Sequence, residues 1–212
     1  MNDLRDQIIQ EHVPTVMAPR FNALPPLDKI GHRFIVAANG LWLEVNRHWL
    51  HVSLPVSPPA SVTVPYGLIE KKIEIRCPAI PVAFLREFYA AAKSAFPNEC
   101  AAWVTYNHVT GDFKLRHLEA ISEGPGHIDV TRPKLSEGEE LVLDLHSHGQ
   151  HPAFFSSDDD RDDFGEVKLS GVLGNVHEEN PTWKIRLCVL GHYEEVPHAF
   201  PIAKDESEYA YD

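Results

Sequence analysis

The sequence predicts an α/β protein of the α+β type, with a mixed sheet flanked by helices and a small β-rich module in front of it. Three patterns support this fold class. Residues 141–148 alternate apolar and polar side chains, as a half-buried strand does. Residues 81–96 carry apolar side chains at helical spacing. Two apolar runs flank Asn39-Gly40, which is a strong hairpin signal.

The β-rich module is expected to span residues 1–78. Residues 33–45 form the hairpin around Asn39-Gly40, and residues 49–54 add a third strand. Residues 55–65 are rich in proline and predict an extended connection, because a Pro-Pro pair cannot lie inside a sheet. Trp42, Trp49 and Tyr66 are expected to fill the core of this module, although they would also suit a binding surface for a modifier protein.

The second domain is expected to span residues 79–200 and to be followed by a polar tail over 201–212. Its helix begins near Pro81 and ends before Pro97, which cannot continue it. The remaining expected elements are strands over 101–106 and 113–118, at most a short helix within 132–140, the strand over 141–148, a helix start at 156–164, and strands over 167–176 and 183–190.

Three side chains around the strand over 141–148 suit a metal ion. His146 and His148 are two apart, so they lie on one face of the strand. Asp159 follows at the expected helix start. Two imidazoles and one carboxylate can hold zinc and leave its fourth position to water, as catalytic zinc sites do. A His-x-His pair alone is weak evidence in a chain with 13 histidines. Ser156-x-x-Asp159 alone is more often a helix cap, but the full pattern at one junction is more specific.

The pattern His146-x-His148, seven residues, then Ser156-x-x-Asp159 resembles the JAMM motif of the MPN-plus metalloproteases. These zinc isopeptidases remove ubiquitin or ubiquitin-like proteins. The resemblance implies an MPN/JAB-type core with a cytidine-deaminase-like arrangement. It also implies a catalytic glutamate after a helix, in a Pro-x-Glu context, and Glu99 matches that position. Gly149 departs from the family, which usually has proline there, but the departure removes no ligand.

The resemblance implies that zinc held by His146, His148 and Asp159 activates a water molecule for amide hydrolysis. Glu99 would serve as general acid and base, and Ser156 would donate a hydrogen bond to the oxyanion. Asp144 lies on the histidine face and is interpreted as a solvated carboxylate or as an acceptor for a ligand imidazole. His151 gives the spacing of the metallo-β-lactamases, but Gln150 stands where that family has aspartate.

A β-rich lead before a bacterial-type JAMM domain is similar to the layout of the protein A family of the PRTRC gene systems. The neighbours of that family include activation-like and conjugation-like proteins of the ubiquitin type. The resemblance therefore implies a ubiquitin-like modifier or its conjugate as partner. Two alternatives stay open. One is a non-catalytic MPN-type scaffold, and the other is a metallopeptidase acting on small-molecule conjugates.

Composition narrows the other possibilities. A net charge of −12 argues against nucleic acid as a partner, because its phosphates attract clustered Lys and Arg. No stretch approaches the roughly 20 apolar residues of a membrane span, and the first residues lack a signal-peptide pattern. A cytoplasmic protein is therefore expected. Cys77, Cys100 and Cys188 do not resemble a disulfide framework.

Overall fold

The computed structural model of the protein describes residues 3–196. The chain divides between Cys77 and Pro78 into two compact units. This division falls one residue from the boundary expected between residues 78 and 79. The polar tail expected over 201–212 lies outside the described residues.

The elements of the first unit are α1 (Leu4–His12), β1 (Thr15–Met17), β2 (Gly31–Ala37), β3 (Gly40–Asn46), β4 (Leu50–Pro55) and β5 (Lys72–Ile75). The five strands form one sheet in the order β1-β2-β3-β4-β5. Strand β1 runs parallel to β2, and the other neighbours are antiparallel.

The hairpin and the third strand of this unit are confirmed. The β2–β3 turn contains Asn39 and Gly40, and Ala37 pairs with Gly40 across it. Trp42 and Trp49 are buried, at 5% and 1% exposure, and Tyr66 packs partly buried against the core cluster of Ile35, Ala37 and Trp42. Helix α1 and the edge strands β1 and β5 were not predicted, because their patterns are short or weakly amphipathic.

The elements of the second unit are α2 (Val82–Ala95), β6 (Ala101–Asn107), β7 (Asp112–His117), β8 (Ala120–Gly124), β9 (His127–Val130), β10 (Glu139–Ser147), α3 (Ser157–Asp163), β11 (Val167–Gly174), β12 (Thr182–Val189) and β13 (His192–Glu195). Six of the strands form a mixed sheet in the order β13-β12-β11-β10-β6-β7. Strands β10 and β11 are parallel, while the other neighbours are antiparallel.

Local sequence explains the boundaries of both helices in this unit. Pro81 is the N-cap residue of α2, and the helix ends at Ala95 with Phe96 as C-cap, directly before Pro97. Phe88 and Ala92 form its buried positions. Ser156 is the N-cap of α3. Acidic residues fill the first turn, where the positive end of the helix dipole stabilises their negative charges.

The possible short helix within residues 132–140 is not formed. Strands β8 and β9 form a separate two-stranded hairpin before this segment. Residues 131–136 then form no regular element, residues 137 and 138 form a turn, and Glu139 already begins β10. Gly138 has a φ of +77°, which is unfavourable within a right-handed helix. A β-bulge between Leu141 and Leu143 also interrupts the alternation expected along β10. Within residues 3–196, no helix has both the length and the apolar character needed to cross a membrane.

Candidate metal centre

His146, His148 and Asp159 converge at one end of the sheet. The Nε2 atoms of the two imidazoles lie 3.1 Å apart, and Nε2 of His146 lies 3.1 Å from Oδ1 of Asp159. One potential ligand atom from each of the three residues lies within 4.8 Å of those of the other two. The structure therefore brings together the three residues that the sequence pattern predicted.

These distances fit a zinc ion. Zinc binds imidazole nitrogen and carboxylate oxygen at about 2.0 to 2.2 Å, so tetrahedral ligand atoms lie about 3.3 Å from one another. The two 3.1 Å separations are close to that value. Burial and the neighbouring His146 lower the pKa of His148, which favours the neutral imidazole that metal binding requires. Zinc is thus compatible with both the geometry and the chemistry of the three side chains.

Glu99 reaches this site through the pairing of β6 with β10. Ala101 pairs with His146, and beyond that pair the amide of Ser147 donates to the carbonyl of Cys100 at 2.9 Å. The hydroxyl of Ser147 accepts a hydrogen bond from the Cys100 amide at 3.0 Å. Continuing this antiparallel register brings Glu99 to the level of His148. Cys100 itself is a half-buried free thiol.

The carboxyl group of Glu99 is buried and has a shifted pKa. Glu99 as a whole is 5% exposed. Burial, followed by the negative charge of Asp159, raises the pKa of Glu99 to about 7. A carboxyl group with such a pKa can both accept and release a proton near neutral pH, as a general acid and base must.

Ser156 and Asp159 form a capping box at the start of α3. The Asp159 amide donates to the Ser156 hydroxyl at 3.2 Å. In return, Oδ2 of Asp159 accepts from the amide of Ser156 at 2.6 Å and from its hydroxyl at 2.7 Å. The capping interpretation of this pair is therefore present in the structure, and Ser156 is also placed at the metal centre. Its expected role toward an oxyanion stays a prediction.

Within the described residues, Asp144 forms no hydrogen bond with a ligand imidazole. It is not a simple solvated carboxylate either. Its Oδ2 accepts a hydrogen bond from Nζ of Lys168 at 2.6 Å. Lys168 is 2% exposed and was missed by sequence reasoning. The signal that was available is a lone charged residue in the otherwise uncharged strand β11.

Gly149 fixes the shape of the loop after β10. Gly149 has a φ of +52°, and a Cβ added there would lie 2.7 Å from the carbonyl oxygen of Pro97. The residue therefore cannot be replaced by proline without rebuilding this loop.

His151 is exposed and is not one of the three clustered ligand residues, so the metallo-β-lactamase spacing receives no support.

The three ligand residues and Glu99 all line one cleft of about 610 Å³. Strand β9 forms one wall of the cleft, and α3 contributes acidic residues to it. Phe154 packs edge-on against His148, with 4.6 Å between the ring centroids. The lining residues most relevant to chemistry are Glu99, Trp103, Asp144, His146, His148, Phe154, Ser156, Asp159, Asp163 and Lys168.

Comparisons with known proteins agree with this picture. Residues 81–187 match the family described as prokaryotic homologs of the JAB domain, and residues 3–76 match a domain of unknown function, DUF2016. No curated protein matches the chain. The solution structure of protein DSY2949 from Desulfitobacterium hafniense is 18% identical and covers 54% of this chain and 86% of its own, with a TM-score of 0.41. That likeness is too weak to support an inference. None of these matches tests the layout similarity to the PRTRC protein A family.

Proposed function

Because the chain belongs to the prokaryotic homologs of the JAB domain, we propose that it is a zinc-dependent isopeptidase or peptidase. Its substrate would be an amide bond that follows a ubiquitin-like modifier protein. One observation carries the proposal: Glu99, which is buried and has a pKa near 7, lines the same cleft as His146, His148 and Asp159. A scaffold domain has no need to keep a buried carboxyl group beside three metal-ligand side chains.

His146, His148 and Asp159 would hold the ion. When bound, zinc supplies Lewis acidity, which lowers the pKa of a water molecule and polarises a carbonyl group. The lowered pKa of His148 keeps its imidazole neutral for this purpose. The amide of Ser156 holds Oδ2 of Asp159 and so leaves Oδ1 on the side of His146.

Glu99 would accept a proton from the attacking water on its carboxylate and deliver that proton to the leaving amine. This function needs a carboxyl group near the reacting atoms whose pKa lies close to the working pH, and Glu99 has that pKa. Ser156 would donate its hydroxyl to the carbonyl oxygen as negative charge develops there. To do so, the hydroxyl must turn away from Asp159, while the Ser156 amide continues to hold that carboxylate.

The modifier itself is proposed from the JAMM resemblance rather than from a contact in the cleft. A ubiquitin-like protein with an extended carboxyl-terminal tail is the substrate class to test first. Activation-like and conjugation-like proteins are proposed as functional neighbours on the same ground.

The test begins with protein purified without added metal, in which bound zinc is measured. The protein is then incubated with fusions of ubiquitin-like proteins from the source organism, with and without a chelator. We expect stoichiometric zinc, cleavage after the modifier, loss of cleavage with chelator and recovery when zinc is restored. Glu99→Gln is the matched control, because it should keep zinc but not cleave.

Other outcomes would identify the alternatives. Bound zinc with no cleavage of any modifier fusion, but with hydrolysis of small amide conjugates, would indicate a small-molecule metallopeptidase. Absence of zinc binding and of hydrolysis would contradict the enzyme proposal and favour an interaction module.

A further inference from the structure

The helix that carries Asp159 has no apolar surface with which to pack. Helix α3 comprises one serine, five aspartates and one arginine over Ser157–Asp163. Phe164, which follows it, is 72% exposed. The usual source of helix docking, burial of an apolar stripe, is therefore missing. Polar contacts must hold this helix on the sheet.

The only buried residue of α3 is Asp163, and two cations of the sheet surround it. Nζ of Lys168, on β11, lies 2.9 Å from Oδ1 of Asp163. Arg186, on β12, donates to Oδ2 from Nη2 at 2.7 Å and from Nε at 3.2 Å. The side chains of Asp163, Lys168 and Arg186 are 4%, 3% and 7% exposed. Such a buried ion pair, once formed, is costly to break.

Arg186 is itself held in place. Its guanidinium carbon lies 4.0 Å from the centroid of the Phe155 ring and 4.1 Å from that of Tyr193. It also donates to the carboxylate of Asp160, one turn before Asp163 on α3. The Tyr193 hydroxyl donates to the carbonyl of Asp160 at 2.7 Å. These contacts fix the helix to β12 and β13.

Lys168 makes a second connection that Arg186 does not. Its Nζ donates to Oδ2 of Asp144 at 2.6 Å. Asp144 lies on β10, two residues before His146 and on the same face. A single buried ammonium group thus joins the strand that bears His146 and leads into His148 to the helix that bears Asp159. Burial opposes the charge of Lys168, but Asp144 and Asp163 outweigh it, and its pKa is raised.

We propose that Lys168 is a positioning residue of the metal centre: by joining Asp144 of β10 to Asp163 of α3, it sets the separation of Asp159 from His146 and His148. This inference rests on the proposed zinc site. Partners that orient metal ligands without touching the metal typically contribute about tenfold to 100-fold in metal affinity. The same range is expected for Lys168.

The test measures the zinc dissociation constant by competition with a chromophoric chelator, and the free energy of unfolding of the metal-free protein by urea titration. Lys168→Met should weaken zinc binding about tenfold to 100-fold. Since this change leaves Asp163 with one cation fewer, a second variant, Lys168→Met/Asp163→Asn, removes the excess negative charge. Because this double variant also lacks the connection through Lys168, it should show the same loss of zinc affinity.

Arg116→Met is the matched control. Arg116 pairs with buried Glu139 at the far end of the same strand β10, and its Nη2 donates to Oε1 at 2.5 Å and to Oε2 at 2.6 Å. Its loss should lower the free energy of unfolding without changing zinc affinity. Wild-type affinity in both Lys168 variants would overturn the inference. If the wild-type protein binds no zinc, the proposed function fails first, and this inference fails with it.

Discussion

Ser156 and Asp159 hold each other through three hydrogen bonds, and the bonds divide the Asp159 carboxylate between two tasks. Oδ2 accepts from the amide and the hydroxyl of Ser156. Oδ1 lies 3.1 Å from Nε2 of His146. Asp159 thus completes the capping box of α3 and presents a ligand atom in the same conformation.

This relationship predicts that Ser156→Ala has effects beyond a lost oxyanion donor. Loss of the cap should lower the free energy of unfolding by about 1 kcal/mol. Weaker orientation of Asp159 should reduce zinc affinity about tenfold, and turnover should fall about 100-fold or more. Urea unfolding, chelator competition and cleavage rates measure the three effects. Ser157→Ala, at the exposed neighbouring position, should change none of them. Unaltered zinc affinity in Ser156→Ala would show that the hydroxyl does not orient the ligand.

Glu99→Gln should abolish turnover and leave zinc bound. Glutamine has nearly the same shape but cannot take up a proton from water at neutral pH, so the rate should fall about 100-fold to 10,000-fold. Metal analysis and cleavage assays on the same preparation measure the two properties. Undiminished cleavage by this variant would remove Glu99 from the mechanism.

The Arg116–Glu139 pair predicts a specific loss of stability in acid. A hydrogen bond from the Ser136 amide, together with Arg116, lowers the pKa of Glu139 to about 2 from a usual value of 4.5. A lowered folded-state pKa stabilises the protein above the unfolded value, and this stabilisation is lost as pH falls from about 5 toward 2. Glu139→Gln should therefore be less stable than wild type by about 2 to 3 kcal/mol at pH 7.

The measurement is urea unfolding of both proteins at pH values from 7 down to 3. The difference in free energy of unfolding should shrink steadily below pH 5. A difference that stays constant over this range would show that the Glu139 charge is not its source.

Gly149→Ala should destabilise the loop that follows His148. Alanine at a φ of +52° is strained, and its Cβ would lie 2.7 Å from the Pro97 carbonyl oxygen. A loss of about 2 kcal/mol or more is expected. Gly111→Ala separates the two causes, because Gly111 has a φ of +80° with open space around it. Its cost should be about 1 kcal/mol, and equal losses at both positions would exclude crowding by Pro97 as a factor.

Much of the second unit followed from local sequence. Helix α2, strands β6, β7, β10, β11 and β12, and the start of α3 were predicted because periodicity, proline and capping residues act over a few neighbouring positions. The hairpin β8–β9 was not predicted. Its strands are short and mostly exposed, so their residues carry little apolar alternation.

The residue types at the metal centre were likewise readable from the chain, because His146, His148 and Asp159 lie close together in sequence. Their convergence depends on the contacts that hold α3 on β11 and β12. The placement of Glu99 beside them depends on the pairing of β6 with β10, which joins segments far apart in the chain. Lys168 could not be assigned from sequence. A lysine is rarely buried unless the fold pairs it with carboxylates, and Asp144 and Asp163 meet at Lys168 only after the sheet and α3 have assembled.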